Sequence, residues 1–191
     1  MKRVIITACS LLIMSAAFTQ TQKGNVIVGA NITNINVEFK ENSNRLGFNF
    51  NPKAAWFIKD NIAIGPEISF GTLAQKGDEP VLNYNIGAFG RKYLGAEVTN
   101  LTRSAKWFLE ASGGIGGKND EKGSSNGLNL GFGPGLAYFL SPNIALEALA
   151  KYNLNVGFGD APVVNAVNIG LGFQIYLPGK QAEQIINEPL K

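Results

Sequence analysis

Six charged residues carry whatever side-chain chemistry this chain of 191 residues can perform: Lys53, Glu67, Arg91, Glu110, Glu147 and Lys151. Three are of each sign, and all fall on the small, polar side of segments whose other side is apolar. Charges grouped in this way serve either as an ion pathway or proton relay, or as a salt-bridged plug, because a charge enclosed by protein needs a partner. Counting about Asp60 as the centre of a short turn sets Lys53 opposite Glu67 on one face, so these two are expected to pair across neighbouring strands.

Other chemistry is thin. The sequence contains no His, which removes the commonest general base, the commonest zinc ligand and every Ser/His or Cys/His arrangement. The loop Lys118-Asn119-Asp120-Glu121-Lys122 spaces its acids poorly for calcium, and two lysines compete with any cation. The glycine run Gly113-Gly114-Ile115-Gly116-Gly117 lacks the strand-to-helix setting of a phosphate cradle. Asn31-Ile32-Thr33 and Asn100-Leu101-Thr102 match a glycosylation sequon. No catalytic, cofactor-binding or metal-binding residue is expected, and no enzyme activity.

The elements that must position the six charges are strands. Gly at 23 and Asn at 21, with 45% hydrophobic and 16% charged residues, favour one ordered all-β domain over helix or disorder. No stretch after residue 20 approaches the ~18 apolar residues of a spanning helix. Instead the chain alternates with period two. The apolar faces run Val26 to Ile32, Leu46 to Trp56, Ile62 to Phe70, Leu82 to Ala88, Trp107 to Ile115, Leu128 to Tyr138, Ile144 to Tyr152 and Val167 to Leu177, each at every second residue. That makes eight strands.

Opposite them stand small or polar residues such as Gly47, Asn49, Asn51, Ser69, Asn83, Gly114, Gly133 and Gly172. Small residues are needed where strands crowd a narrow barrel axis, whereas a solvated outer face has no reason to exclude side chains. The polar face is therefore expected inside and the apolar face in lipid. A soluble lipocalin-like carrier, with the apolar face inside around a ligand, is the inverse reading. Eight strands enclose a space just wide enough for side chains, which favours the plug over the pathway.

Residues 1–19 form a basic head at Lys2 and Arg3, an apolar run and a small-residue close at Ser15, Ala16 and Ala17, which reads as a secretory signal peptide cleaved after Ala17 or Thr19. Its removal takes Cys9 with it and leaves 15 basic against 14 acidic residues. Such a balance offers no footprint for nucleic acid.

Short connections at Lys59-Asp60-Asn61 and Ser141-Pro142-Asn143 alternate with longer ones over 35–44, 73–80, 118–125 and 155–162. That asymmetry is an outer-membrane habit, with strands of ~10 residues covering an apolar band of ~25 Å. The connection over 95–104 is longer than this rule predicts for the short side. Trp56, Tyr93, Trp107, Tyr138 and Tyr176 lie near the short-turn ends and are expected to form an aromatic girdle at the headgroup level.

With these phrases in place, Leu82-Asn83-Tyr84-Asn85-Ile86-Gly87, Gly131-Phe132-Gly133-Pro134-Gly135, Leu140-Ser141-Pro142-Asn143-Ile144-Ala145-Leu146-Glu147 and the last strand from Val167 to Tyr176, the chain resembles the small eight-stranded outer-membrane barrels. These are the OmpA-barrel and OmpX-like porin-family proteins of Gram-negative bacteria, and the chain looks most like the barrel domains of the Bacteroidetes. The resemblance implies an eight-stranded antiparallel up-and-down transmembrane β-barrel over 20–177, outer-membrane lipid around it, and insertion machinery that reads a terminal aromatic. One departure is the polar tail at 178–191, expected on the periplasmic side, which follows Phe173 and Tyr176. The expected role is structural or surface-interactive with a plugged interior; the alternative is a narrow ion or small-solute channel.

Overall fold

The computed structural model describes residues 20–40, 43–75, 80–94, 104–120, 123–159 and 163–179. The expected signal peptide, the connection at 95–103 and the tail beyond 179 lie outside the described residues. Eight strands follow in chain order: β1 Val26–Lys40, β2 Ser43–Lys59, β3 Ile62–Gln75, β4 Val81–Tyr93, β5 Ala105–Asp120, β6 Gly123–Ser141, β7 Ile144–Gly157 and β8 Val163–Leu177. Each pairs antiparallel with the next, and β1 pairs with β8 to close the barrel.

Period two decides which way each side chain points. In β8, Val167, Ile169 and Leu171 face outward while Gly170 and Gln174 face in and are buried. In β2, Phe48, Phe50 and Trp56 are outward and exposed, whereas Asn51, Lys53, Ala55 and Phe57 are buried inside. The same sense holds in every strand, so the apolar face surrounds the barrel and the lipocalin-like arrangement is overturned. With large apolar residues on the outside and every strand paired on both sides, the surface suits hydrocarbon, where no backbone polar group can be left open.

The strands are longer than the ~10 residues that cross the apolar band. β5 and β6 have 16 and 19 residues, and their ladder continues to Asp120↔Gly123. Stretches expected as loops, 35–44 and 118–125, are thus mostly paired strand. The apolar alternation stops where water begins, but backbone pairing does not need it. On the opposite rim the β2–β3 and β6–β7 turns are tight. Asp60-Asn61 connects β2 to β3 with Asn61 at a φ of 64°, a left-handed conformation that Asn tolerates because its short amide can bond locally. Residues 20–25 fold back against this turn: Thr21 N–H and C=O groups aside, its hydroxyl donates to Asn61 Oδ1 at 2.7 Å and accepts from Lys106 Nζ at 2.9 Å. Asn61 N–H donates to Thr21 O, and Lys23 N–H to Asp60 Oδ1.

Close approach inside the barrel needs glycine at Gly135. The Phe108 ring lies flat over Gly135, its register partner, where a Cβ would overlap the ring. Gly135→Val is expected to destabilise the barrel by ~1–3 kcal/mol through overpacking. On the lipid face, Leu171→Arg near the middle of β8 is expected to cost ~2–4 kcal/mol while Leu171→Ile is nearly neutral. Guanidinium unfolding in phospholipid vesicles measures both, and equal stability of the Leu171→Arg and Leu171→Ile variants would contradict an outward, lipid-facing Leu171.

Candidate functional site

Reading inward positions from the short-turn rim upward, the interior has three storeys. The lowest is apolar and aromatic. Phe57, Tyr93, Phe108, Phe139 and Tyr176 come together with Ile27, Ala55, Ala63, Ala137 and Ala145. Ring centroids stand 5.5 Å apart for Tyr93 and Phe108 and 5.0 Å for Phe139 and Tyr176. Such offset and tilted pairs fill space densely.

Tyr93 and Tyr176 therefore do not belong to an outer girdle. Both are inside, at 2% and 1% exposure, because their parity along β4 and β8 is that of Arg91 and Gln174, not that of Ala88 and Phe173. Trp56, Trp107 and Tyr138 do face outward, each more than 40% exposed. Height along the strand was shared by all five residues; the alternation rule was the signal that separates them.

The middle storey holds the six charges. Glu110 is fully buried and accepts from two directions: Lys53 Nζ at 2.6 Å on Oε1, and Arg91 Nη2 at 2.8 Å and Nε at 3.1 Å on Oε2. Arg91 Nη1 reaches on to Glu147 Oε1 at 2.7 Å. Lys151 Nζ donates to Glu67 Oε1 at 2.6 Å and to Ser112 Oγ at 3.1 Å, and lies 3.6 Å from Glu110 Oε1. The Arg91 guanidinium also lies 3.9 Å from the Phe108 ring centroid, a cation–π contact that joins this storey to the one below.

Lys53 and Glu67 are register partners, as the turn arithmetic requires, yet they are not an ion pair. Each reaches across the lumen instead, Lys53 from β2 to Glu110 on β5 and Glu67 from β3 to Lys151 on β7. Inside a closed barrel of eight strands, inward side chains converge on the axis, so the far wall is as near as the neighbouring strand. A chain of hydroxyls ties the storey to the aromatic floor. Arg91 Nη1 donates to Tyr93 Oη at 2.9 Å, and Tyr176 Oη donates to Glu147 Oε1 at 2.8 Å. Because the Tyr176 proton is committed to Glu147, Tyr93 is the donor in the 2.7 Å contact between the two hydroxyls.

Above the charges is a polar cup of about 590 Å³. Asparagines from six strands line it, among them Asn31, Asn51, Asn85, Asn129, Asn153 and Asn168, and it extends to Lys118 and Ser125 near the β5–β6 tip. Lys53, Glu67 and Lys151 are its base. The sequence showed these asparagines as inward residues but gave no sign that they would enclose open volume.

The cross-lumen network ranks two substitutions. Glu110→Ala leaves both Lys53 and Arg91 buried without their shared carboxylate and is expected to cost ~3–5 kcal/mol. Glu67→Ala leaves Lys151 with Ser112 and at the edge of the cup, and is expected to cost about 1–3 kcal/mol. Guanidinium unfolding in detergent micelles compares them; a greater loss from Glu67→Ala would show that Lys53 depends on Glu67 after all.

The chain matches the family described as Outer membrane protein beta-barrel domain over residues 5–174. Among solved structures, its fold is similar to neisserial surface protein A, with a TM-score of 0.53 at 19% identity over 82% of this chain and 97% of that one. It is also similar to the N-terminal β-barrel domain of Pseudomonas aeruginosa OprF, at a TM-score of 0.50 and 15% identity over 81% of this chain and 98% of that one. The outer membrane protein OprG of Pseudomonas aeruginosa gives 0.50 at 10% identity, over 83% of this chain and 98% of that one. No curated protein sequence matches the chain. These likenesses carry the fold, an antiparallel barrel closed on itself, and the family match covers nearly all of its strands. The chain belongs to the outer membrane protein β-barrel domain family.

Proposed function

We propose that this chain is a non-enzymatic integral barrel of a Gram-negative outer membrane, exported through a signal peptide over 1–19, with a structural or surface-interaction role and an interior sealed by its own side chains. The observation that carries the sealed interior is the stacking of the Arg91–Glu110–Glu147 cluster directly on the aromatic storey, with side chains of Arg91, Glu110 and Glu147 at most 1% exposed. An ion crossing the barrel would have to displace a cation bonded to two carboxylates and then a packed floor of rings. Residues 20–25, tied to the β2–β3 turn and to Lys106 on β5, add a strap across the same rim.

Catalysis is disfavoured because a chain without His lacks the usual base for acyl or phosphoryl-ester chemistry. The partners of this reading are outer-membrane lipid around the barrel and the insertion machinery during assembly. Trp56, Trp107 and Tyr138 serve as headgroup-level anchors on the short-turn side, where amphipathic rings are favoured. At the other end, the paired β5–β6 hairpin runs beyond the ~10 residues needed to cross lipid and presents a stiff ribbon rather than a loose loop.

A narrow channel is the second reading, favoured by the open cup above the charged layer. Planar-bilayer recording of the purified protein separates the two, once a heat-dependent shift in gel mobility has shown that the preparation is folded. No discrete conductance steps are expected; reproducible steps from folded protein would sink the sealed interior and establish the channel.

A further inference from the structure

The outer wall of the barrel is not evenly covered. On β4 and β5 the outward side carries Ala88 and Gly90 next to Gly113 and Ala111, paired in two successive outward rows. A Cβ at Gly90 would stand clear of every residue beyond its chain neighbours by more than 4 Å. To either side the row continues into large side chains, Ile64 on β3 and Phe132 on β6, 46% and 56% exposed. Ile86 and Ile115, paired in the next outward row toward the hairpin tips, close one end of this groove. Its other end opens at the row of Ile62, Lys92 and Leu109.

That open end is basic. Lys92 is the outward residue of β4 there, and the bulge in β2 sets Lys59 against the same Ile62, so the two lysines flank Ile62 from either side. Two strand spacings of ~4.8 Å separate their backbones, a gap that two lysine side chains can close on one phosphate. Both are exposed, and neither makes an ion pair among the described residues. Asp60, the carboxylate beside Lys59, accepts the Lys23 N–H.

The groove runs along the membrane normal. Register rows climb from strand to strand: the row through Thr33, midway along β1, passes Asn49, Gly71 and Asn83 and reaches Lys118 near the tip of β5. With strands tilted by ~35–45°, a line drawn from Ile62 straight toward the hairpin-tip side crosses β4 near Gly90 and β5 near Gly113. The rise is ~15 Å, half of the ~30 Å hydrocarbon core and so the depth of one leaflet.

We infer that this groove holds one anionic phospholipid of the leaflet on the short-turn side, its phosphate between Lys59 and Lys92 over Ile62 and an acyl chain over Gly90 and Gly113. An anionic head is selected over a zwitterionic one because the latter brings its own cation to the two lysines. Trp107, two residues along β5 from Leu109 toward the short turns, faces outward beside the headgroup. The inference concerns one seated lipid rather than the lipid that surrounds any barrel. It rests on the transmembrane barrel and not on the sealed interior.

The test is native mass spectrometry of the folded full chain released from neutral detergent micelles, with phosphatidylglycerol and phosphatidylcholine of identical acyl chains offered in equal amounts. Phosphatidylglycerol adducts are expected to exceed the others at least about fivefold, and the double variant Lys59→Gln/Lys92→Gln to bring the two within about twofold. Gly90→Phe fills the groove and leaves every charge in place; it is expected to lower phosphatidylglycerol binding at least about threefold. Ala111→Phe repeats that change on the neighbouring strand, and gel mobility with and without heating verifies that each variant is folded. Lys118→Gln, which removes a lysine at the far rim, is expected to change nothing. Equal adducts of the two lipids on the unaltered chain overturn the proposal, as does a preference that survives the double lysine variant. An equal loss in Lys118→Gln means bulk charge rather than a seat and overturns it too. Undiminished binding in folded Gly90→Phe and Ala111→Phe removes the groove and with it the site. The sealed interior is a separate matter: a barrel that conducts ions and still selects phosphatidylglycerol would remove that reading and leave this one standing.

Discussion

Closure of β1 against β8 is the constraint from which the rest of the molecule follows. In hydrocarbon an unpaired strand edge leaves N–H and C=O groups with no partner, so a spanning sheet must return to its first strand. The seam runs from Val26↔Leu177 to Thr33↔Gly170, and it is shorter than the β5–β6 ladder, which runs from Ala105↔Tyr138 to Asp120↔Gly123. Eight residues of extended chain rise ~26 Å along the strand, less when tilted, so the seam covers much of what lipid demands. Beyond it, water can satisfy the edges, and the strands continue only where a hairpin partner is at hand.

Closing at eight strands fixes the bore, and the bore dictates what the inward residues must be. A side chain on any strand is within reach of the opposite wall, which is why Glu110 on β5 gathers Lys53 from β2 in addition to Arg91, its register partner on β4, and why Lys151 on β7 crosses to Glu67 on β3. Three cations and three carboxylates cancel within this layer. Each charge is costly to bury alone, but the set needs no counterion from outside. The same narrowness explains the glycines beneath large neighbours, as at Gly135 under Phe108.

Strand number, strand order and the sense of inside and outside were legible in the sequence, because all three are encoded by alternation: Phe48, Phe50, Leu171 and Phe173 are outward, as period two requires. The membership of the charged layer was legible for the same reason. Its pairings across the lumen were not, since register arithmetic describes neighbours on the wall, such as Arg91 and Glu110, and says nothing of chords. Tyr93 and Tyr176 show a different failure. Their type and height suggested the membrane interface, and their parity, which was equally visible, pointed inward. Strand ends were obscured where polar residues on both faces erase the alternation, although the ladder from Lys118↔Ser125 to Asp120↔Gly123 persists.

The storeys also give the barrel a direction that its topology lacks. Along β2 the inward residues read Asn49, Asn51, Lys53, Ala55 and Phe57; along β4 they read Asn83, Asn85, Gly87, Phe89, Arg91 and Tyr93. Amides gather toward the hairpin tips and rings toward the short turns. Water entering the cup therefore reaches one side of the charged layer and not the other. The Lys151 and Glu67 side chains are 11% and 8% exposed, against 1% or less for Arg91, Glu110 and Glu147. Two ion-pair groups are consequently set in unlike surroundings: the lower one is dry and relies on its mutual bonds, while the upper one is partly wetted and can lose or gain a partner at smaller cost. A barrel built in this way can change what sits at the top of its charged layer without disturbing the part that holds its strands in place.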